Sequence, residues 1–179
     1  MIAVPRNTAF TEINLRFYVR PVGAACQNRG VVFIREIVPR RLIAWTARAI
    51  YAEPYVCRPM HHTISSSGTP SVLYGWSGPC GRCEISASAE GDAWLPPHDS
   101  AARFFTHHTW GYTRRGSSGA AAYRVEHPIW PLYACSRAEF TGDLRDVVAS
   151  ELAEAIAGPC DSAWLAAGSD VQVFPGQRL

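Results

Sequence analysis

The chain has 179 residues, and its 17 basic side chains are all arginine, set against 15 acidic ones for a net charge of +2. The absence of lysine excludes Schiff-base catalysis, a pyridoxal-phosphate anchor and the phosphate-binding lysine of a P-loop. So small and dispersed a positive balance gives no nucleic-acid footprint, and no apolar run reaches the roughly 18 residues of a membrane span.

Ile13, Leu15, Phe17 and Val19 alternate with polar residues, the period of a half-buried strand. After a loop over 21–30, Gly30-Val-Val-Phe-Ile-Arg-Glu-Ile37 predicts a second strand that Pro39 ends. Arg41–Tyr51 reads as a short helix with Leu42, Trp45 and Ala49 on one face and Ile43, Ala47 and Ile50 beside it, bounded by Pro54 and Pro59. Three strands follow over 61–66, 71–77 and 84–90, joined by Gly/Pro/Ser turns as an antiparallel meander. Asp99 or Ser100 caps a short helix through Phe105, and 110–114 with 120–126 form a hairpin around Gly-Ser-Ser-Gly. Asp143 caps the clearest helix, lined by Leu144, Val148, Leu152 and Ala155 and stopped by Gly158-Pro159; Val171–Phe174 is a last strand. The expected fold is α+β, mainly β, an antiparallel barrel-like sheet with two or three helices in a single domain over residues 1–179.

Cys80-Gly81-Arg82-Cys83 is the one cysteine pair at metal or redox spacing, and structural zinc needs a second pair that the sequence lacks. Gly78-Pro79 and Gly81 place it in a hairpin loop, whereas a thioredoxin-like motif opens a helix after a strand. The six cysteines, Cys26 among them, therefore read as reduced thiols, with redox activity through Cys80 and Cys83 as an alternative. Neighbouring His107 and His108 point to opposite faces of a strand, and His108 shares its face with Trp110 and Tyr112; His61 and His62 pose the same choice. His127 follows in a Glu-His-Pro turn. No HxH or HExxH spacing is present, so no metal and no cofactor are expected. Glu12, Asn14 and Arg16 share one face of the first strand: a solvated face, or the lining of a lumen if the sheet closes. Glu36 and Arg35, and Glu53 with Arg48, would add charge to that lumen, where Glu–Arg pairing is the physical expectation.

Five ordered stretches resemble a known family: Phe10-Thr-Glu-Ile-Asn-Leu-Arg-Phe-Tyr-Val19, Gly30–Ile37, Glu53-Pro-Tyr55, Trp110-Gly-Tyr-Thr113 and Tyr123-Arg-Val-Glu-His-Pro128. They are similar to the YqjF-like bacterial proteins of the acetoacetate-decarboxylase-like superfamily, from Val4 to the C-terminus. The resemblance implies a β-barrel-rich α+β domain around a central ligand cavity. It also implies barrel strands upstream of the segment that starts here, so the chain is expected to be incomplete at its N-terminus. The relative with a known reaction uses a lysine in a Gly-Arg-Glu…Tyr-Pro-Lys-Lys context. Here Arg48 and Pro54 match that pattern while the lysine pair becomes Tyr55-Val56, so decarboxylation by that route is rejected. The pocket acid of the family corresponds to Glu12.

The expected function is a central site for a small oxo- or carboxylate-bearing metabolite in a soluble cytoplasmic protein, with its status as an enzyme open. Its candidate residues are Glu12, Arg16, Arg48, Glu53, Tyr55, His108, Trp110, Tyr112 and His127. Arg48 would hold an anion, Glu12 would act as acid or base, and Tyr55, Tyr112 and His108 would donate hydrogen bonds. The alternative is a non-enzymatic scaffold, with self-association into a homo-oligomer left open.

Overall fold

The computed structural model describes residues 10–22, 28–115 and 119–179. The elements run β1 (Ile13–Val19), β2 (Gly30–Val38), α1 (Arg41–Tyr51), β3 (Tyr55–Cys57), β4 (Met60–Ser65), β5 (Ser71–Gly78) and β6 (Gly81–Trp94). Then come α2 (Ala101–Thr106), β7 (Trp110–Arg115), β8 (Gly119–Glu126), β9 (Leu132–Thr141), α3 (Ser150–Ile156), β10 (Trp164–Ala166), β11 (Gln172–Val173) and β12 (Gln177–Arg178). The fold is α+β and mainly β. Two compact units divide the chain: unit 1 holds residues 1–57, 103–128 and 169–179, and unit 2 holds 58–102 and 129–168. No helix among the described residues is long and apolar enough to cross a membrane.

Unit 1 is a seven-stranded sheet ordered β1-β2-β7-β8-β11, with β12 also on β8 and β3 also on β2. The sheet is mixed rather than antiparallel, because β2 runs parallel to both β3 and β7. Parallel neighbours need a crossover, and α1 supplies it between β2 and β3. Nor does a barrel form: among the described residues β1 and β11 stand at opposite ends of the path and do not pair. Strands of two residues such as β11 and β12 offer too few ladder bonds to carry closure.

In unit 1 the helix and the first strand follow the sequence pattern only in part. Helix α1 turns Ala44 and Ala47 inward with Ile43 half-buried, so part of the second apolar stripe packs while the first lies outside, Leu42 54% and Trp45 64% exposed. Small residues let the helix lie close to the strands, which outweighs burying the larger side chains. In β1 the alternation holds for most of the strand: Ile13, Leu15 and Val19 are half-buried and Asn14 and Arg16 exposed, while Phe17 and Tyr18 exchange these roles. Cys26, residues 23–27 of the expected 21–30 loop and residues 116–118 of the Gly-Ser-Ser-Gly turn lie outside the described residues.

Unit 2 is a five-stranded antiparallel sheet ordered β10-β9-β6-β5-β4. Its core is Trp76, Cys83 and Leu132, each almost fully buried. The long pairing of β9 with β6 was not foreseen, because Ala-Cys-Ser-Arg-Ala-Glu offers few of the β-branched residues that mark a strand. The predicted helix after Asp143 is split into a single 3-10 turn, Leu144–Asp146, and the shorter α3. Asp143 caps the turn as expected, accepting from the Arg145 amide at 2.9 Å. Arg58 Nε holds the buried Asp146 carboxylate at 3.2 Å, and β-branched Val147 and Val148 favour leaving the helix there.

Candidate functional site

The register of unit 1 decides which side chains meet. Asn14 pairs with Glu36 across β1 and β2, and Glu36 pairs with Tyr55 across β2 and β3. Residues opposite one another share a face, so these three side chains project together. Glu12, two positions before Asn14, joins them. A second line crosses the same sheet through Tyr18, Val31, Gly111 and Tyr123. Tyr18 lies four residues beyond Asn14 on one strand, so both lines occupy one face. Thr113, two beyond Gly111, belongs to it as well.

Three carboxyls gather there. Glu36 is 3% exposed and Glu53 6%, while Glu12 is half-buried. The Tyr55 hydroxyl donates to Glu12 Oε1 at 2.7 Å, and Glu12 shares a further hydrogen bond with Glu36. Burial pushes Glu36 up to about 9, reinforced by the charges of Glu12 and then Glu53. Glu36 therefore carries the proton and donates it to the Glu12 carboxylate. Burial also raises Glu12, against the opposing hydrogen bond from Tyr55.

Glu53 follows α1, whose chain turns at Ala52 into the left-handed region (φ 56°). An alanine there costs about 1 kcal/mol relative to glycine. The Ala52 carbonyl accepts from the Thr113 hydroxyl at 3.2 Å, which fixes the turn against β7. Glu53 takes a hydrogen bond from Tyr123, yet burial still pushes it up to about 7. The Tyr123 ring reaches it by crossing over Gly111, where any Cβ would occupy the space of the ring and its hydroxyl. Glu36 Oε2 and Glu53 Oε1 are buried without a hydrogen-bond partner. Burial and the neighbouring carboxyls hold both tyrosine hydroxyls firmly protonated.

Other candidates from the sequence lie elsewhere. Arg48 is exposed and its Nε donates back to Ala44 of its own helix at 3.2 Å. The expected Glu–Arg pairing gives way to bonds among the carboxyls and hydroxyls themselves. Tyr112 and Trp110 alternate onto the opposite face of β7 from Thr113; the Tyr112 hydroxyl donates to the Asn28 carbonyl at 2.9 Å. His127 Nδ1 lies 2.8 Å from the Pro128 carbonyl, and its ring meets His107 edge-on at 5.2 Å.

Arg16 and His108 join a second cluster on the carboxyl face. Tyr18 lies 4.6 Å from the His108 ring, 5.0 Å from Phe104 and 5.2 Å from Phe105. Arg16 Nη2 donates to the Phe105 carbonyl at 2.9 Å, with the guanidinium 5.8 Å from the Tyr18 ring. His107 Nδ1 and His108 Nε2 are buried without a partner. Burial lowers both imidazoles, helped by Arg103 for His107 and by Arg16 for His108.

Sequence reasoning left Glu36, Tyr123 and Thr113 out of the site. The usable signals were the one carboxylate of β2, which the sequence offered only beside Arg35 as a charge for the lumen, and a tyrosine facing a glycine across a hairpin. In unit 2, Cys80 is exposed beside the β5–β6 turn while Cys83 is a buried strand residue donating to the Asp143 carbonyl at 3.2 Å. Burial pushes that thiol up, opposite to what a redox nucleophile requires. Among the described residues no three His, Cys, Asp or Glu side chains converge as metal ligands.

A family model described as an uncharacterized conserved protein (COG2071) matches residues 1–170. No curated protein matches the chain.

Proposed function

The chain belongs to the DUF2071 family, and we propose that its carboxyl–tyrosine cluster binds a small oxo compound and exchanges protons with it. The observation that carries this reading is the pair of unpartnered, deeply buried oxygens, Glu36 Oε2 and Glu53 Oε1, on one sheet face with two tyrosine hydroxyls. A buried carboxyl oxygen without a partner loses its hydration and gains nothing in exchange, unless a ligand supplies the missing bond. Neutral Glu36 holds one proton, and carrying it on Oε2 instead of giving it to Glu12 would let it donate to a carbonyl oxygen on which negative charge develops. Glu53, near 7, is suited to take a proton from the carbon beside that carbonyl. Half-buried Glu12 and exposed Asn14 form the solvent side of the cluster.

The resemblance to acetoacetate-decarboxylase-like proteins supports a carbonyl ligand. The absence of lysine removes the Schiff-base route, and the reading here uses acid–base catalysis alone. The test is exchange of the α-hydrogens of 2-octanone for deuterium in heavy water at neutral pH, followed by NMR. The wild-type chain is expected to accelerate exchange, and Glu53→Gln to lower the rate at least tenfold. Exchange no faster with the protein than without it overturns the reading.

A further inference from the structure

We propose that Arg16 reads the far end of the same ligand, which makes the ligand class an oxo acid with an anionic group several bonds from its carbonyl. This rests on the carbonyl reading above and adds a specificity residue to it.

Strand β1 acts as a ruler across the two clusters. Glu36 stands at the level of Asn14, and Arg16 follows two residues later on the same face, roughly 7 Å further along the strand. The guanidinium leans beyond its own Cα, because it lies over the Tyr18 ring and Nη2 is tied to the Phe105 carbonyl. The guanidinium therefore lies further from the carboxyl cluster than the roughly 7 Å that separates the two strand positions. One anchored nitrogen fixes the orientation of the fork, and a guanidinium so held is preorganised for a carboxylate. Arg16 is exposed, so an incoming anion meets it from solvent.

The surroundings fit a ligand with an apolar middle and an anionic end. Tyr18, Phe104 and Phe105 pack ring against ring beside the guanidinium. His108 stacks on Tyr18 with Nε2 buried and unpartnered, a second nitrogen at that end of the face. A short β-keto acid, with its two groups on neighbouring carbons, cannot reach from Glu36 to Arg16. A chain of five or six carbons between them can.

The test uses two ligands of equal length, 7-oxooctanoate and 2-octanone, which differ in a carboxylate replacing a methyl. Dissociation constants are measured by NMR titration of the full chain. Wild type is expected to bind the acid at least tenfold more tightly than the ketone. Arg16→Gln should bring the acid to the level of the ketone while leaving the ketone within twofold, and Arg16→Lys should restore part of the preference. No preference in wild type, or equal effects of Arg16→Gln on both ligands, overturns the proposal. If 2-octanone binds and Glu36→Leu weakens it while Arg16→Gln changes nothing, only the role of Arg16 falls. If neither ligand binds wild type, both readings fall together.

Discussion

The carboxyl–tyrosine cluster and the histidine–aromatic cluster lie on one face of the unit 1 sheet and respond to burial in opposite directions. Loss of water disfavours the charged form of any group. It lifts Glu36 and Glu53 to about 9 and about 7, and it lowers His107 and His108. Near neutral pH Glu36 thereby keeps its proton, Glu53 stands close to its midpoint, and the two histidines are driven toward the neutral form. Arg16 stays charged between them and is the exposed cation of β1. A face built this way presents carboxyls, hydroxyls and rings with the exposed Arg16 at the aromatic end, a pattern suited to a carbonyl ligand with an anionic tail.

The largest test of this contrast is Glu36→Gln. The folded pKa of Glu36 lies above its unfolded value of 4.5. Its contribution is therefore most favourable below pH 4.5 and is lost as pH rises toward 9. Glutamine keeps the shape and cannot ionise. The variant should be more stable than wild type at pH 7 by up to about 3 kcal/mol, with the gain vanishing near pH 4. Chemical denaturation across that range measures it. A variant less stable than wild type at pH 7 would mean that Glu36 is ionised and paired.

The histidines should show the reverse slope. Their folded pKa lies below the unfolded value of 6.5, so their contribution is whole above 6.5 and declines as pH falls through it. Replacing both by glutamine should flatten the loss of stability between pH 6.5 and 5 while leaving the decline above pH 7, which belongs to Glu36, untouched. The effect is smaller than for Glu36, because both rings are partly exposed and solvent screens them. Unchanged acid sensitivity in the double variant would remove the histidines from the account.

Sequence reading reached these clusters unevenly, and the reasons are physical. Glu12, Glu53 and Tyr55 were legible because a resemblance and a Glu-Pro-Tyr turn singled them out. Their convergence was not, since it depends on β3 running parallel to β2 and setting Tyr55 opposite Glu36. No local pattern encodes a parallel partner that lies a helix away. Arg48 was chosen for its motif, but its outward position follows from which face of α1 is small enough to pack, a tertiary matter. The bulge that skips Ile34 between the Leu15–Arg35 and Arg16–Phe33 pairs likewise has no signature in the β1 sequence. Most strands and the mainly-β class were readable from period and turns. The long β6–β9 ladder was hidden by small, polar residues that only a partner strand makes extended.

The smallest expected effect tests the link between the two clusters. Arg16 contributes to lowering His108, second to burial. Arg16→Gln should therefore raise the His108 pKa while leaving it below the usual 6.5, because the larger cause persists. An exposed guanidinium acts through solvent, so added salt should imitate the substitution in wild type and do little in the variant. The imidazole proton resonances followed by NMR titration separate these terms. A His108 that moves with salt equally in both proteins would take its charge sensitivity from another group. A His108 indifferent to both changes would leave burial alone to hold it neutral, and the two clusters would then be electrostatically independent despite sharing β1.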